Sequence, residues 1–275
     1  MMSKIKNILF AILPIIVVLV STAALPNGGD INPCDSDNNS FQDGEHIVYK
    51  IYYNWNFVWV SAGEVDFKIT EKEDVYLVEA TGKTYKSYDI FFKVRDYYKT
   101  IIDKETLLPI EFERTIQEGG YRFYNKIEFN QKEKTAISYT GRTREDVKAK
   151  IYPLDNCMHD VLSTVYFLRN LSFSTLKSEG KVPVEMFMDD EVYPIQITYL
   201  GEEEKDIKGL GNIETIKISP ALIAGMVFSE DSQMDVWVSN DDNKVPLVIE
   251  SPISVGSIQA ILKEHNGLKY PLVAK

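Results

Sequence analysis

The sequence predicts a mainly β protein: one large curved antiparallel sheet or partly open barrel, with a single helix packed on it. Three observations support this prediction. Apolar and polar residues alternate with period two along most of the chain, turn-forming residues separate these runs at short spacing, and only residues 160–171 show clear helical spacing. The chain has 275 residues, 44% of them hydrophobic, which is enough apolar mass for one core or two.

The first 24 residues predict export. Lys4 and Lys6 precede a short apolar run, and small residues at 21–24 offer a cleavage site, as in a secretory signal peptide. The run is about 13 residues long, shorter than the roughly 20 that a membrane-spanning helix needs. An uncleaved anchor is the alternative. We expect a soluble protein, periplasmic or otherwise exported, with no membrane span after signal cleavage.

The charge balance excludes one class of partner. The formal net charge is -11, from 41 acidic and 30 basic residues. Because such a surface repels phosphate backbones, we expect no nucleic-acid partner.

Residues 25–42 are rich in Asn, Asp, Ser, Gly and Pro and predict a disordered leader before a β-rich domain over 43–275. Cys34 in this leader and Cys157 in the domain are the two cysteines of the chain. An oxidising compartment permits a disulfide between them. Two unpaired thiols are the alternative, because the sequence does not supply the Cα separation.

The domain opens on odd-numbered apolar positions from Ile47 to Trp59, which predict one long strand. After Gly63 the alternation resumes, with Val65, Phe67 and Ile69 on the inward face. Gly63 is therefore predicted to be a bend or bulge rather than a strand end.

Further strands follow on both sides of the helix. The halves 43–156 and 172–275 either share one core or form two domains, and the short interval between them favours one continuous architecture. The predicted strands are 75–81, 93–102, 110–117, 121–129 and 135–140 before the helix, and 182–189, 191–202, 205–208, 214–218, 232–239, 246–249 and 256–264 after it.

Three separated blocks resemble an exported bacterial family that is classed as a domain of unknown function. The resemblance covers residues 43 to about 264 and implies an exported, β-rich domain with no established activity or catalytic residues. More distantly, the last block is similar to the curved sheets of lipoprotein-carrier proteins, whose concave faces hold acyl chains. The blocks are Gly44-Glu45 through Tyr49 and Tyr53 to Ala62-Gly63-Glu64; the helix DVLSTVYFLRN at 160–170; and Trp237-Val238-Ser239-Asn240-Asp241 with Val245-Pro246-Leu247 and Gly256-Ser257-Ile258.

Residues with catalytic or metal-binding chemistry are sparse. His46, His159 and His265 lack the spacing of a metal motif. Cys157 and His159 would point apart on a helix, which argues against an activated thiol. Residues 240–243 are most simply a polar hairpin turn, with a weak calcium site as the alternative. We therefore expect no metal, no cofactor and no enzyme activity.

An enzyme would need some other arrangement of polar groups. A pocket that brings together Asp160, Arg169 or Glu250 with shifted protonation would revive that class.

Aromatic residues remain as candidates for a binding site. Tyr53, Trp55, Phe57 and Trp59 would share one face of the long first strand. They either fill the core, as aromatics usually do, or line a groove for a hydrophobic or glycan-like ligand. The sequence thus predicts a non-catalytic envelope protein that binds a lipid-like or glycan ligand. The alternative is a structural or interaction module that joins an envelope protein.

Overall fold

The computed structural model describes residues 34, 36–55, 58–220, 234–252 and 256–272. The predicted signal peptide, residues 1–24, and the predicted site residue Phe57 lie outside these ranges. Trp55 is described by its backbone alone.

Within the described ranges, fourteen antiparallel strands form one curved sheet that does not close. This confirms the predicted fold class. The strands are β1 (His46–Trp55), β2 (Val58–Glu71), β3 (Val75–Thr84), β4 (Arg95–Asp103), β5 (Pro109–Glu118), β6 (Tyr121–Asn130), β7 (Thr135–Gly141), β8 (Lys148–Pro153), β9 (Lys181–Met188), β10 (Glu191–Ile207), β11 (Gly211–Pro220), β12 (Asp235–Ser239), β13 (Pro246–Pro252) and β14 (Ser257–Asn266).

The first and last strands of this series pair at the centre of the sheet, which runs β8-β7-β6-β5-β4-β3-β2-β1-β14-β13-β12-β11-β10-β9. His46 of β1 lies opposite Asn266 of β14. Both halves of the chain therefore belong to one sheet. They also share a core, because Phe187 of β9 packs in the same apolar cluster as Tyr98 and Phe112 of the first half.

The long first strand predicted over 47–59 is in fact a hairpin, β1 followed by β2. Trp55 pairs with Val58, so odd-numbered positions of β1 face even-numbered positions of β2. The register then shifts beyond Tyr52–Ser61, where Ala62 is the extra residue, and Ile51 pairs with Gly63. This bulge restores the original parity. The hairpin puts even-numbered positions of β2 on the face that carries odd-numbered positions of β1, and the bulge then returns odd-numbered positions to that face. The alternation in the sequence therefore continues through the turn.

The bulge beside Gly63 confirms the prediction that this glycine marks an irregularity within a strand. A Cβ atom there would lie 2.3 Å from the carbonyl oxygen of Lys83 on β3. Glycine is needed because the backbone of β3 approaches too closely for any side chain.

Another correction concerns β10. The sequence predicted separate strands at 191–202 and 205–208, whereas Glu191–Ile207 is one strand. Its register shifts between Tyr199 and Gly201, and Gly201 has φ +136°. The run of acidic residues at 202–204 broke the apolar pattern without breaking the strand.

The predicted helix is present as α1 (Val161–Asn170), and a second short helix, α2 (Phe173–Glu179), follows it. Asp160 caps α1 by accepting hydrogen bonds from the backbone N–H groups of Leu162 and Ser163. The Ser163 hydroxyl accepts in return from the N–H of Asp160, which completes a capping box. Leu162, Tyr166 and Phe167 are all buried, and α1 packs against β4 and β9 of the sheet, as predicted.

The segment predicted as a disordered leader is partly ordered. Ser40 and Phe41 are both fully buried, and the Phe41 ring packs edge-on against Tyr76 and Tyr166 with centroids 5.0 Å apart in each pair. The polar composition of this stretch hid the one aromatic residue that enters the core.

The two outer strands, β8 and β9, do not pair with each other. The segment before α1 covers the edge of β9 instead. The Phe187 N–H donates to the His159 carbonyl at 2.8 Å, and the His159 N–H donates to Glu185 at 3.2 Å. Across the gap, the rings of Tyr152 and Phe187 lie 5.3 Å apart. Packing rather than a strand ladder brings the two edges together.

Candidate functional site

The structure separates the aromatic residues that the sequence grouped. Tyr53 is buried, and its partner on β2 is Val60. Trp59 pairs with Asn54 and therefore faces the opposite side of the sheet, with 44% of its surface exposed. The expectation that Tyr53 and Trp59 share one face is wrong, because the chain reverses between them. Whether either residue binds a ligand stays a prediction.

Exposed apolar side chains gather at one end of the sheet, where the β1–β2 and β3–β4 connections lie. We call Val58, Trp59 and Val60 of β2, with Ile90 and Phe91 of the loop after β3, the apolar rim. Ile90 and Phe91 are 85% and 76% exposed. The β1–β2 hairpin projects beyond β3, because the last pair between β2 and β3 joins Gly63 to Thr84.

Short contacts hold the β3–β4 loop beside that hairpin. The Tyr85 N–H donates to the Ala62 carbonyl at 3.0 Å, and the Tyr85 hydroxyl donates to Glu64 at 2.8 Å. Tyr88 packs towards Phe91, with ring centroids 6.0 Å apart. The β3–β4 loop that carries Ile90 and Phe91 is therefore attached to β2 at Ala62 and Glu64, next to Val60.

A pair of buried carboxyl groups lies close to this end of the sheet. Asp96 is on β4, and Glu118 ends β5; they are 2% and 3% exposed. The Gln117 N–H donates to Asp96 Oδ1 at 2.9 Å. Burial raises the pKa of both carboxyls, and the negative charge of Asp96 raises that of Glu118 further. Both effects favour the protonated form of Glu118 beside Asp96.

Arg114 and Tyr98 complete this buried cluster. They are cross-strand partners on β5 and β4. The Arg114 guanidinium forms an ion pair with Asp189 in the β9–β10 turn, so the cluster joins the inner face of one half of the sheet to the other half. Among the described residues, Arg114 Nε and the Tyr98 hydroxyl have no hydrogen-bond partner. We call Asp96, Tyr98, Arg114 and Glu118 the buried polar cluster.

Sequence reasoning missed all four members. Arg114 and Glu118 occupy the same strand parity as Phe112 and Ile116, which face the core. A charged residue at an inward position was the signal that could have identified them, because such residues are seldom buried without a partner.

The opposite end of the sheet is sealed by Arg169 of α1. Its Nη1 and Nη2 donate to the two Glu45 oxygens at 2.5 and 2.8 Å, and its Nε donates to the Asn243 carbonyl at 3.0 Å. Nη2 also donates to the Ser40 carbonyl at 3.0 Å. The Asn243 side chain in turn bonds the backbone of Tyr270. Residues of the first two sequence blocks, Glu45 and Arg169, thus meet here, and Asn243 lies between two segments of the third block.

These contacts occupy four of the five N–H donors of Arg169, and its side chain is buried, which indicates a structural role. Asp160 lies at the other end of α1, where burial raises its pKa to about 6 while Thr100 donates to its Oδ2 at 2.6 Å. Glu250 accepts from the Gln259 amide at 2.5 Å on β13 and β14. The structure does not bring Asp160, Arg169 and Glu250 into one pocket.

Residues 240–243 form the turn between β12 and β13, as predicted. Asp241 Oδ1 accepts from the Ser239 hydroxyl at 2.7 Å and from the Asn243 and Lys244 N–H groups at 3.0 and 3.1 Å. Across the ranges the structure describes, His, Cys, Asp and Glu side chains form no group of three or more arranged to hold a metal ion.

Cys34 and Cys157 form a disulfide, with their Cα atoms 5.3 Å apart and a sequence separation of 123. His159, two residues after Cys157, is buried against the Phe167 ring at 4.7 Å. The cysteine is therefore not a free nucleophile.

The outer face of β4 to β7 carries a shallow pocket of about 500 Å³. Its floor is a cross-strand row in which Lys99 and Lys126 alternate with glutamates: Lys99 pairs with Glu111 at 2.9 Å and Glu113 at 3.2 Å, and Lys126 pairs with Glu111 at 2.9 Å. Because each charge already has an opposite neighbour, the row is suited to stabilising the sheet surface.

Neither α1 nor α2, the two helices of the described ranges, has the length and apolar character needed to cross a bilayer.

Comparisons with known proteins agree with this architecture. A solved β-barrel-like protein of the domain of unknown function DUF1849, from Brucella abortus, is similar in fold with a TM-score of 0.55 and 6% identity, over 84% of this chain and 100% of that one. A protein with a YmcC-like fold from Bacteroides fragilis matches at a TM-score of 0.28 and 10% identity, over 85% and 100% of the two chains, which is too low to carry an argument.

The chain matches none of the curated proteins. A family model does match, and it covers residues 48–263, nearly the same stretch as the three sequence blocks. The protein therefore belongs to the family described as protein of unknown function DUF3108.

Proposed function

We propose that this protein is an exported, non-catalytic binder of an amphipathic envelope molecule, whose acyl chain lies against the apolar rim. The observation that carries the proposal is the rim itself. Trp59, Ile90 and Phe91 expose large apolar surfaces at one end of a sheet whose other end is sealed around Arg169. Exposed apolar clusters on a soluble protein generally mark sites of interaction.

Two further features support the proposal. The disulfide between Cys34 and Cys157 suits an oxidising compartment such as the periplasm. The polar groups best placed for catalysis in the sequence, Asp160 and Arg169, are instead occupied by a helix cap and an ion pair. Binding without chemical change therefore accounts for more of the structure than an enzyme does.

Calorimetric titration with dodecylphosphocholine, below its micelle concentration, tests the proposal. We expect saturable binding to the mature protein, weakened roughly tenfold or more by Phe91→Ser or Trp59→Ser, since each removes a large apolar contact. Ile151→Ser is the matched control, because Ile151 is 67% exposed on the outer strand β8 and is not part of the rim.

Wild-type binding in both rim variants, or an equal loss in Ile151→Ser, would refute the rim as the site. Absence of any saturable binding by the wild-type protein would refute the proposed function.

A further inference from the structure

We infer that the buried polar cluster is a head-group site for an uncharged, hydroxyl-bearing group, of the glycerol or sugar type. This inference rests on the proposed function, since the same molecule would place its chain on the apolar rim. It adds the chemical class of ligand that the rim alone does not specify.

The cluster lies directly behind the rim. Val94, which ends the β3–β4 loop, is bridged to Glu118, and Glu118 is the last residue of β5 before the Gly119–Gly120 turn. The Phe92 ring, next in sequence to Phe91 of the rim, lies 3.1 Å from where a Cβ on Gly119 would be. The cluster is shut off from solvent in this structure, so a ligand enters when the β3–β4 loop moves away from that turn.

Free hydrogen-bonding capacity is concentrated here. Four side-chain atoms of the cluster have no hydrogen-bond partner among the described residues: Arg114 Nε, the Tyr98 hydroxyl, Asp96 Oδ2 and Glu118 Oε2. All these side chains are more than nine-tenths buried. Buried polar atoms in folded proteins nearly always have partners, so four in one place indicate a group that the protein is built to receive.

The donors and acceptors together select a hydroxyl. An ammonium group only donates, so it would leave Arg114 Nε without a partner. A phosphate or carboxylate only accepts, and it would meet the negative charge of Asp96. Arg114 offers an anion little compensation, because its charge is already balanced by Asp189. A hydroxyl group accepts from Arg114 or Tyr98 and donates to Asp96.

Gly82 of β3 lies opposite Asp96, so this position contributes no side chain beside the cluster. A Cβ added at Gly82 would make ordinary van der Waals contact with the Asp96 Cβ at 3.8 Å and a Val65 methyl at 4.0 Å, so the space is about that of one methyl group and a larger group enters only as the β3–β4 loop moves. The other charged or titratable groups that face the cluster are Asp189, Tyr121 and Tyr193.

The test compares two amphiphiles with the same twelve-carbon chain: 1-monolauroylglycerol, which has two free hydroxyls, and dodecylphosphocholine, which has none. The mature protein should bind 1-monolauroylglycerol more tightly. Tyr98→Phe should weaken that binding roughly three- to tenfold, as expected for one lost hydrogen bond, and leave dodecylphosphocholine unchanged. Tyr97→Phe is the matched control, since the Tyr97 hydroxyl lies on the outer face and donates to Glu79 at 2.5 Å.

Gly82→Val provides a second, independent variant, because it fills the space and leaves every polar atom of the cluster in place. It should weaken 1-monolauroylglycerol selectively. If both amphiphiles bind equally, or if Tyr98→Phe and Gly82→Val match Tyr97→Phe, the head-group site is overturned while the rim proposal stands. If neither amphiphile binds, the proposed function itself fails.

Discussion

Arg169 and Glu45 form a two-pronged ion pair across 124 residues of sequence, with side chains that are 3% and 1% exposed. Removing one partner of a buried ion pair is strongly destabilising, because the charge that remains is buried without a partner or solvation. This pair also joins α1 to the first residues of the sheet, so its loss should be felt by the whole fold.

Replacing Arg169 with Met should therefore lower the free energy of unfolding by about 3–5 kcal/mol, measured by urea denaturation. The double variant Glu45→Met, Arg169→Met should recover part of that loss, since no unpaired charge remains. Glu71→Gln, which breaks the more exposed pair with Lys104, is the control and should cost about 1 kcal/mol or less. A loss for Arg169→Met no larger than this control would contradict the structural role.

The disulfide closes a loop of 123 residues. In the loop-entropy model, a cross-link of this span stabilises by about 5 kcal/mol, through restriction of the unfolded chain. The paired substitution Cys34→Ser, Cys157→Ser should lower the urea midpoint, and added reductant should lower the wild-type midpoint to the same value. Equal midpoints for oxidised and reduced wild-type protein would show that the bond contributes nothing.

Substitutions at Gly63 and Gly120 test whether the close approach of β3 to β2 requires a glycine at position 63. A methyl group on Gly63 would collide with Lys83 of β3, whereas one on Gly120 would meet nothing within 4 Å. We expect Gly63→Ala to destabilise by about 1–3 kcal/mol or more, as overpacking does, and Gly120→Ala to be nearly neutral. Similar melting temperatures for the two variants would mean that β2 and β3 can separate at the bulge without cost.

Glu118 should make stability depend on pH. Its folded pKa is raised, so between its ordinary pKa and the raised value the folded state holds a proton that the unfolded state has lost. Stability then falls as pH rises through this window. Glu118→Gln cannot titrate, so it should gain stability over the wild type progressively from about pH 5 to pH 8, with the gap closing at lower pH.

The control for this pH series is Glu111→Gln. Lys99 and Lys126 hold the pKa of Glu111 below its ordinary value, so its contribution is present at neutral pH and is lost as pH falls. Its variant should therefore be less stable than the wild type at neutral pH and equal to it in acid. A pH-independent difference for Glu118→Gln would argue against a retained proton.

The sequence predicted the sheet well because inward positions such as Val65, Phe67 and Ile69 repeat with period two over many strands. It misplaced the β1–β2 turn because a hairpin and a nearby bulge restored the same parity, which no local pattern reveals. The aromatic grouping of Tyr53 with Trp59 failed for that reason. Burial of Phe41 and of Arg114 depends on partners far away in sequence, namely Tyr166 and Asp189.

The seam between β1 and β14 has a consequence for how the protein is made. Each half of the sheet can form from neighbouring hairpins, but the seam joins the first strand of the domain to its last. Contacts between such distant segments form late and slowly. During synthesis, one edge of β1 therefore stays unpaired until β14 has been made, and the central pair that joins the two halves of the sheet can form only then.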